Sequence, residues 1–571
     1  MKPPEIRRRA VDHVALSALE RAGIPSIMAR LYAARGIRTP AAIDNELKGL
    51  APVSSLLNAD KAAKLLADAI QAGKHIVVSC DYDVDGCASG AVALRALRQM
   101  GAAKVDAAMP KRENGYGLTE VLVQEIYNKF HPDVILTVDC GISSFAGVDM
   151  ANSLDLQVVI SDHHLVSDDG RLPNAACIVN PNQPGCQFES KHAAGVTVIF
   201  YLMLALRAEL RIRGHFTASG ITEPNLGALL DLVALATVAD VVSLGDRNNR
   251  ILVHNGLQRI RNGWACAGIT ALLEASGRDP TAASVFDMGF LVGPRLNAAG
   301  RLEDMTLGLI CLTTDEVDVA KAIATELDVL NRERRDIEAD MRESADMALS
   351  DMDVEGRYSI VMHDKEWHQG VIGILASRLK EQYGRPVIAF ATTEGGLLKG
   401  SGRSIPGLHL RDAIATVARR NPGLLPTFGG HAMAAGLSCV ASGFALFVSE
   451  FEHAVRAQLS EEDLQPIIET DGPLLNSDIS TDLSMALERA VWGQGFPPPL
   501  FEGSFLITDQ RVLKGAHLKM RVLKDGIPFD AIWFNHSETL PLRAQLVYSL
   551  STNFYNGRRT VQFLVRHGIH C

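Results

Sequence analysis

Four short stretches carry carboxylates and imidazoles in patterns that could do chemistry: Asp81-Tyr82-Asp83-Val84-Asp85-Gly86, Asp139-Cys140-Gly141, Asp162-His163-His164 and Ala239-Asp240. In the first, three carboxylates alternate, so they can project together from a strand end or a tight turn. Carboxylates that close repel one another unless cations neutralise them. Asp and His with no Cys among the ligands suit magnesium or manganese better than structural zinc. This is the chemistry of phosphoryl transfer. Taken singly, the first motif also fits a polar strand-to-helix turn with Asp as cap, and the His pair also fits surface imidazoles. No Ser/His/Asp triad or cysteine nucleophile stands out.

Each motif lies at or near the end of an apolar run. Residues 75–79 (HIVVS) precede the first, 134–138 (VILTV) the second and 158–160 (VVI) the third, while residues 226–239 lead to Asp240. If these runs are strands of a parallel sheet, the motifs gather along its carboxyl edge, where open α/β sheets place their sites. Gly86 and Ala88-Ser89-Gly90 allow a sharp turn into the helical AVALRALRQMG. The spacing predicts a helical N-terminal segment over residues 1–58 and a doubly wound α/β domain over 59–314. Residues 225–239 read as a helix ending at Asp240, and 284–301 as a functional loop rich in Gly, Pro and Asn. Ile323, Leu327, Leu330, Ile337 and Met341 follow helical spacing, which predicts a long linking helix over 315–351. YSIVM at 358–362 opens a second α/β domain, 352–459, containing WHQGVIGILASRL, a loop GSGRS and the run FGGHAMAAG. Alternating short strands over 460–571 predict a small β-barrel.

At 571 residues the chain is too long for one core. No apolar stretch is long enough to span a bilayer, and the basic N-terminus lacks a signal-peptide core. Nine scattered cysteines, with Cys80, Cys87 and Cys140 inside the motifs, favour a reducing cytoplasm. The net charge of −10 argues against a uniformly basic nucleic-acid binder. Residues 504–571, however, hold nine Lys/Arg against four Asp/Glu, and a basic tail on an acidic body suits a polyanion held on one face.

In their order, DYDVDG, VDCG, SDHH and the later AD resemble the signature of the DHH phosphoesterases, and SGRS with GGHAMAAG resembles their DHH-associated domain. GYG, GPRLNAAGR and WHQGVIGILASRL narrow the resemblance to the single-strand-DNA-specific 5′→3′ exonucleases among them. It runs from about residue 74 to residue 436, and the C-terminal region resembles that family's OB-fold through weaker motifs. The resemblance implies a DHH catalytic domain with a parallel sheet, a long linking helix, a DHH-associated α/β domain and a C-terminal OB-fold barrel.

It also implies two divalent cations, manganese or magnesium, on Asp81, Asp83, Asp85, Asp139, His163 and Asp240. Asp139 would bridge them, His164 would contact substrate or transition state, and Asp162 would orient an imidazole; Asp83, Asp139 and His164 are the catalytic candidates. Along the strand, Arg112 offers a phosphate contact and Tyr116 a stacking platform. Arg295, Asn297 and Arg301 would line the scissile phosphate. Ser401, Arg403, Gly430 and His431 would cap a terminal 5′-phosphate, and His368 is equally open to a structural role. The implied activity releases 5′-mononucleotides during DNA repair and recombination. The implied partners are single-stranded DNA with a 5′ end, single-strand-binding protein and a RecQ-type helicase, with no membrane. A DHH phosphodiesterase of short oligoribonucleotides or cyclic dinucleotides would share the metal chemistry, but needs no long chain or basic barrel. An inactive DHH replication scaffold would have lost motif carboxylates, and every one is present here.

Overall fold

The computed structural model describes residues 4–110, 115–167, 169–350, 354–393, 395–555 and 557–570. The chain forms two compact units, Arg8–Asp328 with Thr470–Cys571, and Val329–Glu469 with the start of the chain. The first described element is a strand, β1 (Glu5–Arg8), before helices His13–Arg21 and Ser26–Ala33, so the N-terminal segment is not purely helical.

The three predicted apolar runs are strands of one parallel sheet. It comprises β2 (His75–Cys80), β3 (Lys104–Ala108), β4 (Val134–Val138), β5 (Gln157–Ser161) and β6 (Cys177–Val179), in the order β3-β2-β4-β5-β6. β2, β4 and β5 are buried along nearly their whole length, as strands covered on both faces must be. After β3 forms on one side of β2, the chain returns to add β4 on the other. The strand order therefore reverses between β2 and β4, which opens a crevice at their carboxyl ends. Helix Leu230–Ala239 is buried from Leu230 to Thr237, which explains its apolar sequence all round.

The second unit has a mixed sheet of β7 (Ile360–Asp364), β8 (Val387–Thr392), β9 (Leu397–Arg403), β10 (Thr427–Gly430) and β11 (Ala434–Val440), in the order β10-β11-β9-β8-β7. A further strand, β12 (Ile467–Thr470), pairs with β1. The C-terminal region closes as the predicted barrel from β13 (Phe501–Leu513), β14 (His517–Lys524), β15 (Ile527–Trp533), β16 (Arg543–Tyr555) and β17 (Arg558–His570), sealed by parallel pairing of β15 with β17. The linking helix spans Val317–Ser350. Among the described residues no helix is long and apolar enough to cross a membrane.

Two predicted loops are regular elements. Residues 284–301 are helical, as Val285–Asp287, a wide π turn Met288–Val292 and Gly293–Leu302. Their glycines mark close helix contacts rather than turns, and Pro294 sits in the first turn, where a missing N–H is tolerated. GSGRS belongs to β9: a Cβ on Gly400 would come 2.5 Å from the Phe390 ring, so glycine there makes room for core aromatics.

Candidate metal centre

The carboxyl ends of β2, β4 and β5 deliver the first three motifs to one edge. Asp81 follows β2 and is buried; its Oδ1 accepts the Tyr82 N–H at 2.8 Å. Asp83 caps helix Val84–Gln99, accepting the Gly86 N–H at 3.0 Å, and Asp85 lies in the first turn. The three therefore leave a strand end and the sharp turn into the helix, as a following residue, a cap and a first-turn residue. Asp139 follows β4 in the left-handed region at φ 62, a strained conformation for a residue with a Cβ. Its N–H donates to Ser161 O at 3.0 Å, and the Thr137 hydroxyl donates to Cys140 O at 2.7 Å, which fixes the turn. Asp162 follows β5 and accepts the N–H groups of Ile142, His163 and His164 at 2.8, 2.7 and 3.0 Å. Asp240 caps the C-terminus of helix Leu230–Ala239.

These residues converge. Donor atoms of Asp81, Asp83 and Asp139 lie within 4.8 Å of one another, as do those of Asp139, His163 and His164, and those of Asp85, His163 and Asp240. His163 Nδ1 donates to Ala193 O at 2.9 Å, because a carbonyl only accepts. In the neutral ring, Nε2 then turns its lone pair toward Asp139 Oδ1 at 3.2 Å and Asp240 Oδ2 at 3.6 Å. Those two carboxylate oxygens are buried and accept no hydrogen bond. Lone pairs facing each other in a buried, oxygen- and nitrogen-lined space fit a hard divalent cation.

The electrostatics agree. Burial, then the charges of Asp85 and Asp83, pushes Asp139 well above the usual carboxylate range, and burial with the charges of Asp85 and Asp83 does the same to Asp240. Burial, then Asp83, raises Asp85 to about 7, although the Val196 and Gly195 N–H groups donate to it at 2.9 and 2.6 Å. For His164, burial pulls downward but the hydrogen bond to Asp162, 2.8 Å from Nδ1, prevails and lifts it to about 9. Burial likewise opposes ionisation of Asp162, yet the same His164 contact brings it down to about 2. The Tyr116 hydroxyl lies 3.2 Å from His164 Nε2, its ring edge-on to both Tyr82 and His164.

The other predicted residues are not among these donor groups. Arg112 lies outside the described residues. Arg295 is buried, its Nε and Nη2 on Asp328 Oδ1 at 2.9 and 2.7 Å and Nη1 on Leu291 O at 2.8 Å. Its guanidinium clamps two helices, while Asn297 and Arg301 are half-exposed on the same helix. In the second unit, β9 carries Ser401 and Arg403, and Arg403 Nη1 donates to Ser401 Oγ at 3.2 Å and Gly402 O at 2.8 Å. Register sets Ala434 opposite Arg403 and Gly430 opposite Ala435, and the His431 N–H donates to Ala434 O, so β11 links the two predicted pairs. The start of helix Ile372–Tyr383, a few residues after Trp367, abuts them: a Cβ on Gly373 would be 2.9 Å from Ser401 Oγ and 3.0 Å from Arg403 Nη2. His368 lies just before this helix and is half-buried.

Sequence reasoning missed the frame around the histidines. Ala193-Ala194-Gly195-Val196 opens helix Gly195–Ile212, orients His163 and supplies both N–H groups to Asp85. A Cβ on Gly195 would sit 2.3 Å from Asp139 Oδ1, so only glycine fits. Asn180 and Asn182 hold the carbonyls of His164 and His163 at 3.0 and 2.6 Å. The signals were a small-residue run before an apolar helix and an Asn-Pro-Asn turn.

Family models place this architecture in a class. The DHH family, N-terminal domain, matches residues 75–237, the DHHA1 domain 355–457 and the RecJ OB domain 470–567. The single-stranded-DNA-specific exonuclease RecJ of Escherichia coli (strain K12) is 44% identical over 577 residues, 98% of each chain. The crystal structure of RecJ in complex with Mn2+ from Thermus thermophilus matches 99% of this chain and 80% of its own, with TM-score 0.81 and 28% identity. The Mg2+ complex from the same organism matches 99% and 78%, with TM-score 0.74 and 27% identity. The chain belongs to the RecJ family of single-stranded-DNA-specific exonucleases.

Proposed function

We propose that this protein degrades single-stranded DNA from the 5′ end, releasing 5′-mononucleotides by hydrolysis at two divalent cations, manganese or magnesium. The observation that carries the reading is the convergence of three donor groups, linked to one another through Asp139 and His163. Asp81, Asp83, Asp85, Asp139, His163 and Asp240 would hold the cations; Asp139 and His163 each belong to two groups, and of the two only the carboxylate has two oxygens to offer to a pair of cations. Bound there, such cations neutralise the phosphodiester and make an attacking water more acidic. The Mn2+ and Mg2+ complexes of the Thermus thermophilus relative support the choice of metals.

The chain's own residues supply the rest. Asp162 holds His164 by Nδ1, which orients the ring and leaves Nε2 beside the Tyr116 hydroxyl, placed to donate to a phosphoryl oxygen. Ser401 and Arg403, with Gly430 and His431, are suited to a terminal 5′-phosphate. Basic side chains exposed on the barrel, including Arg521, Arg558 and Arg559, would hold the backbone of a longer strand. Action in the cytoplasm, in repair and recombination beside single-strand-binding protein and a RecQ-type helicase, completes the proposal.

The test uses single strands labelled at either end. With manganese, the 5′ label should appear first as a mononucleotide, and chelator should stop release. Degradation beginning at the 3′ end, or full activity in chelator, overturns the reading.

A further inference from the structure

Helical residues 285–302 present two stripes. The inner stripe is glycine: a Cβ on Gly289 would lie 3.2 Å from Val238 Cγ1, on Gly293 3.5 Å from Ala239 Cβ, and on Gly300 2.3 Å from Tyr82 O. This stripe therefore rests on the helix that Asp240 caps and on the carbonyl between Asp81 and Asp83. The outer stripe, at steps of four, four, three and four residues, is Phe286, Phe290, Pro294, Asn297 and Arg301. Its Arg301 end adjoins Gly300, which packs on the Tyr82 carbonyl, and Phe286 begins the stripe at the other end of the helical segment. At that far end the Phe286 and Phe290 rings stack on each other, centroids 4.9 Å apart and 20° between planes, yet remain 49% and 65% exposed.

Two large rings left in water on consecutive turns contribute little to the core. About half-exposed, each ring can offer roughly 100 Å² of surface, far short of the roughly 800 Å² per side of a specific protein interface. They do suit the faces of nucleobases, which stack on aromatics whatever their sequence. We infer that Phe286 and Phe290 form a base-stacking platform for single-stranded DNA, holding nucleotides on the 3′ side of the bond presented to the metal centre. The inference rests on the proposed 5′→3′ polarity. A strand whose 5′ end is at the metals must leave along some face, and this stripe starts with Arg301 and Asn297 near the Asp81–Asp83 turn and reaches the two rings at its other end. The rings grip the strand without reading its sequence, as an enzyme that consumes any strand requires.

The test is the double variant Phe286→Ala/Phe290→Ala in the full chain; both residues are exposed, so the fold should survive. Two readouts are needed. In chelator, anisotropy of a labelled long single strand should report affinity weakened about tenfold or more. With manganese, KM for that strand should rise similarly at unchanged kcat, and cleavage of a dinucleotide should be unaltered. Phe→Trp replacements should restore binding and Phe→Leu replacements should not. A strand lacking bases beyond its first few nucleotides should bind wild type as weakly as the variant. Unchanged affinity overturns the inference and leaves the rings to a protein partner. Equal losses on dinucleotide and long strand also overturn it, because the rings would then only support the metal centre. Ring-dependent binding by a wild-type protein that cleaves from the 3′ end would sink the proposed polarity and, with it, the placement of the rings on the 3′ side of the bond. Normal 5′→3′ turnover with no ring dependence would sink the platform alone.

Discussion

At the edge of the parallel sheet, Asp81, Asp83, Asp85, Asp139 and Asp240 meet with two imidazoles among them, and buried oxygens of Asp139 and Asp240 accept no hydrogen bond. In the mixed sheet of the other unit, Arg403 is already hydrogen-bonded to Ser401 Oγ and the Gly402 carbonyl. The first region is held together against its own repulsion by rigid backbone: a left-handed Asp139, a cap at Asp83 and N–H groups aimed at Asp85. In the second, Arg403 Nη1 is braced by two neutral oxygens, so a donor there can turn to an anion at small expense. The proposed cation site is built frustrated, and the proposed anion site is built relaxed.

Removing the centre of the frustrated region should have the largest effect. Asp139→Ala should lower turnover by several orders of magnitude in saturating manganese, while thermal melting of the protein persists. Near-normal turnover would break the assignment of Asp139 as the shared ligand. Gly195→Ala comes next, because its new Cβ would meet Asp139 Oδ1 at 2.3 Å and Asp139 Cβ at 2.6 Å, atoms anchored to a fixed turn. Displacing that carboxylate should cost about a hundredfold in kcat; a fully active variant would show that the edge is not rigid.

Substitutions in the relaxed region should be milder and selective. Arg403→Ala should weaken cleavage of 5′-phosphorylated strands by about 1–3 kcal/mol relative to 5′-hydroxyl strands. Gly373→Ala should change the same ratio in the same direction but less, because the atoms it meets are the ends of movable side chains. Equal losses on both substrates would remove the 5′-phosphate from this site.

The smallest effect is a count of protons. Asp85 is raised from 3.8 to about 7 in the metal-free fold, so between these values the folded chain holds a proton that the unfolded chain releases. Metal-free stability should therefore fall as pH rises from about 4 to about 7, and cation binding at pH 6 should expel roughly one proton or more. Calorimetry in buffers of different ionisation enthalpy measures this. Arg403→Ala should leave the count unchanged, and a binding heat independent of buffer would contradict the raised carboxylates.

Much of this was legible in one dimension. Strands buried on both faces read as unbroken apolar runs, so β2, β4 and β5 were visible with the acidic motifs at their ends. The barrel strands showed through alternation, and Val317–Ser350 through helical spacing of its core residues. Small residues misled, because a glycine's role depends on what lies against it. Gly289, Gly293 and Gly300 looked like a loop until Val238, Ala239 and the Tyr82 carbonyl were placed beside them. Gly400 looked like a turn until the Phe390 ring occupied its missing side chain. Long-range pairing was equally hidden: nothing near Arg295 in the chain announces Asp328, and nothing near Asp85 announces the N–H groups of Gly195 and Val196. The sequence by itself determined which groups could do the chemistry and which strands carry them. Only the tertiary structure decided which of those groups meet and which basic residue is turned inward, because close approach and burial depend on distant segments that no local pattern encodes.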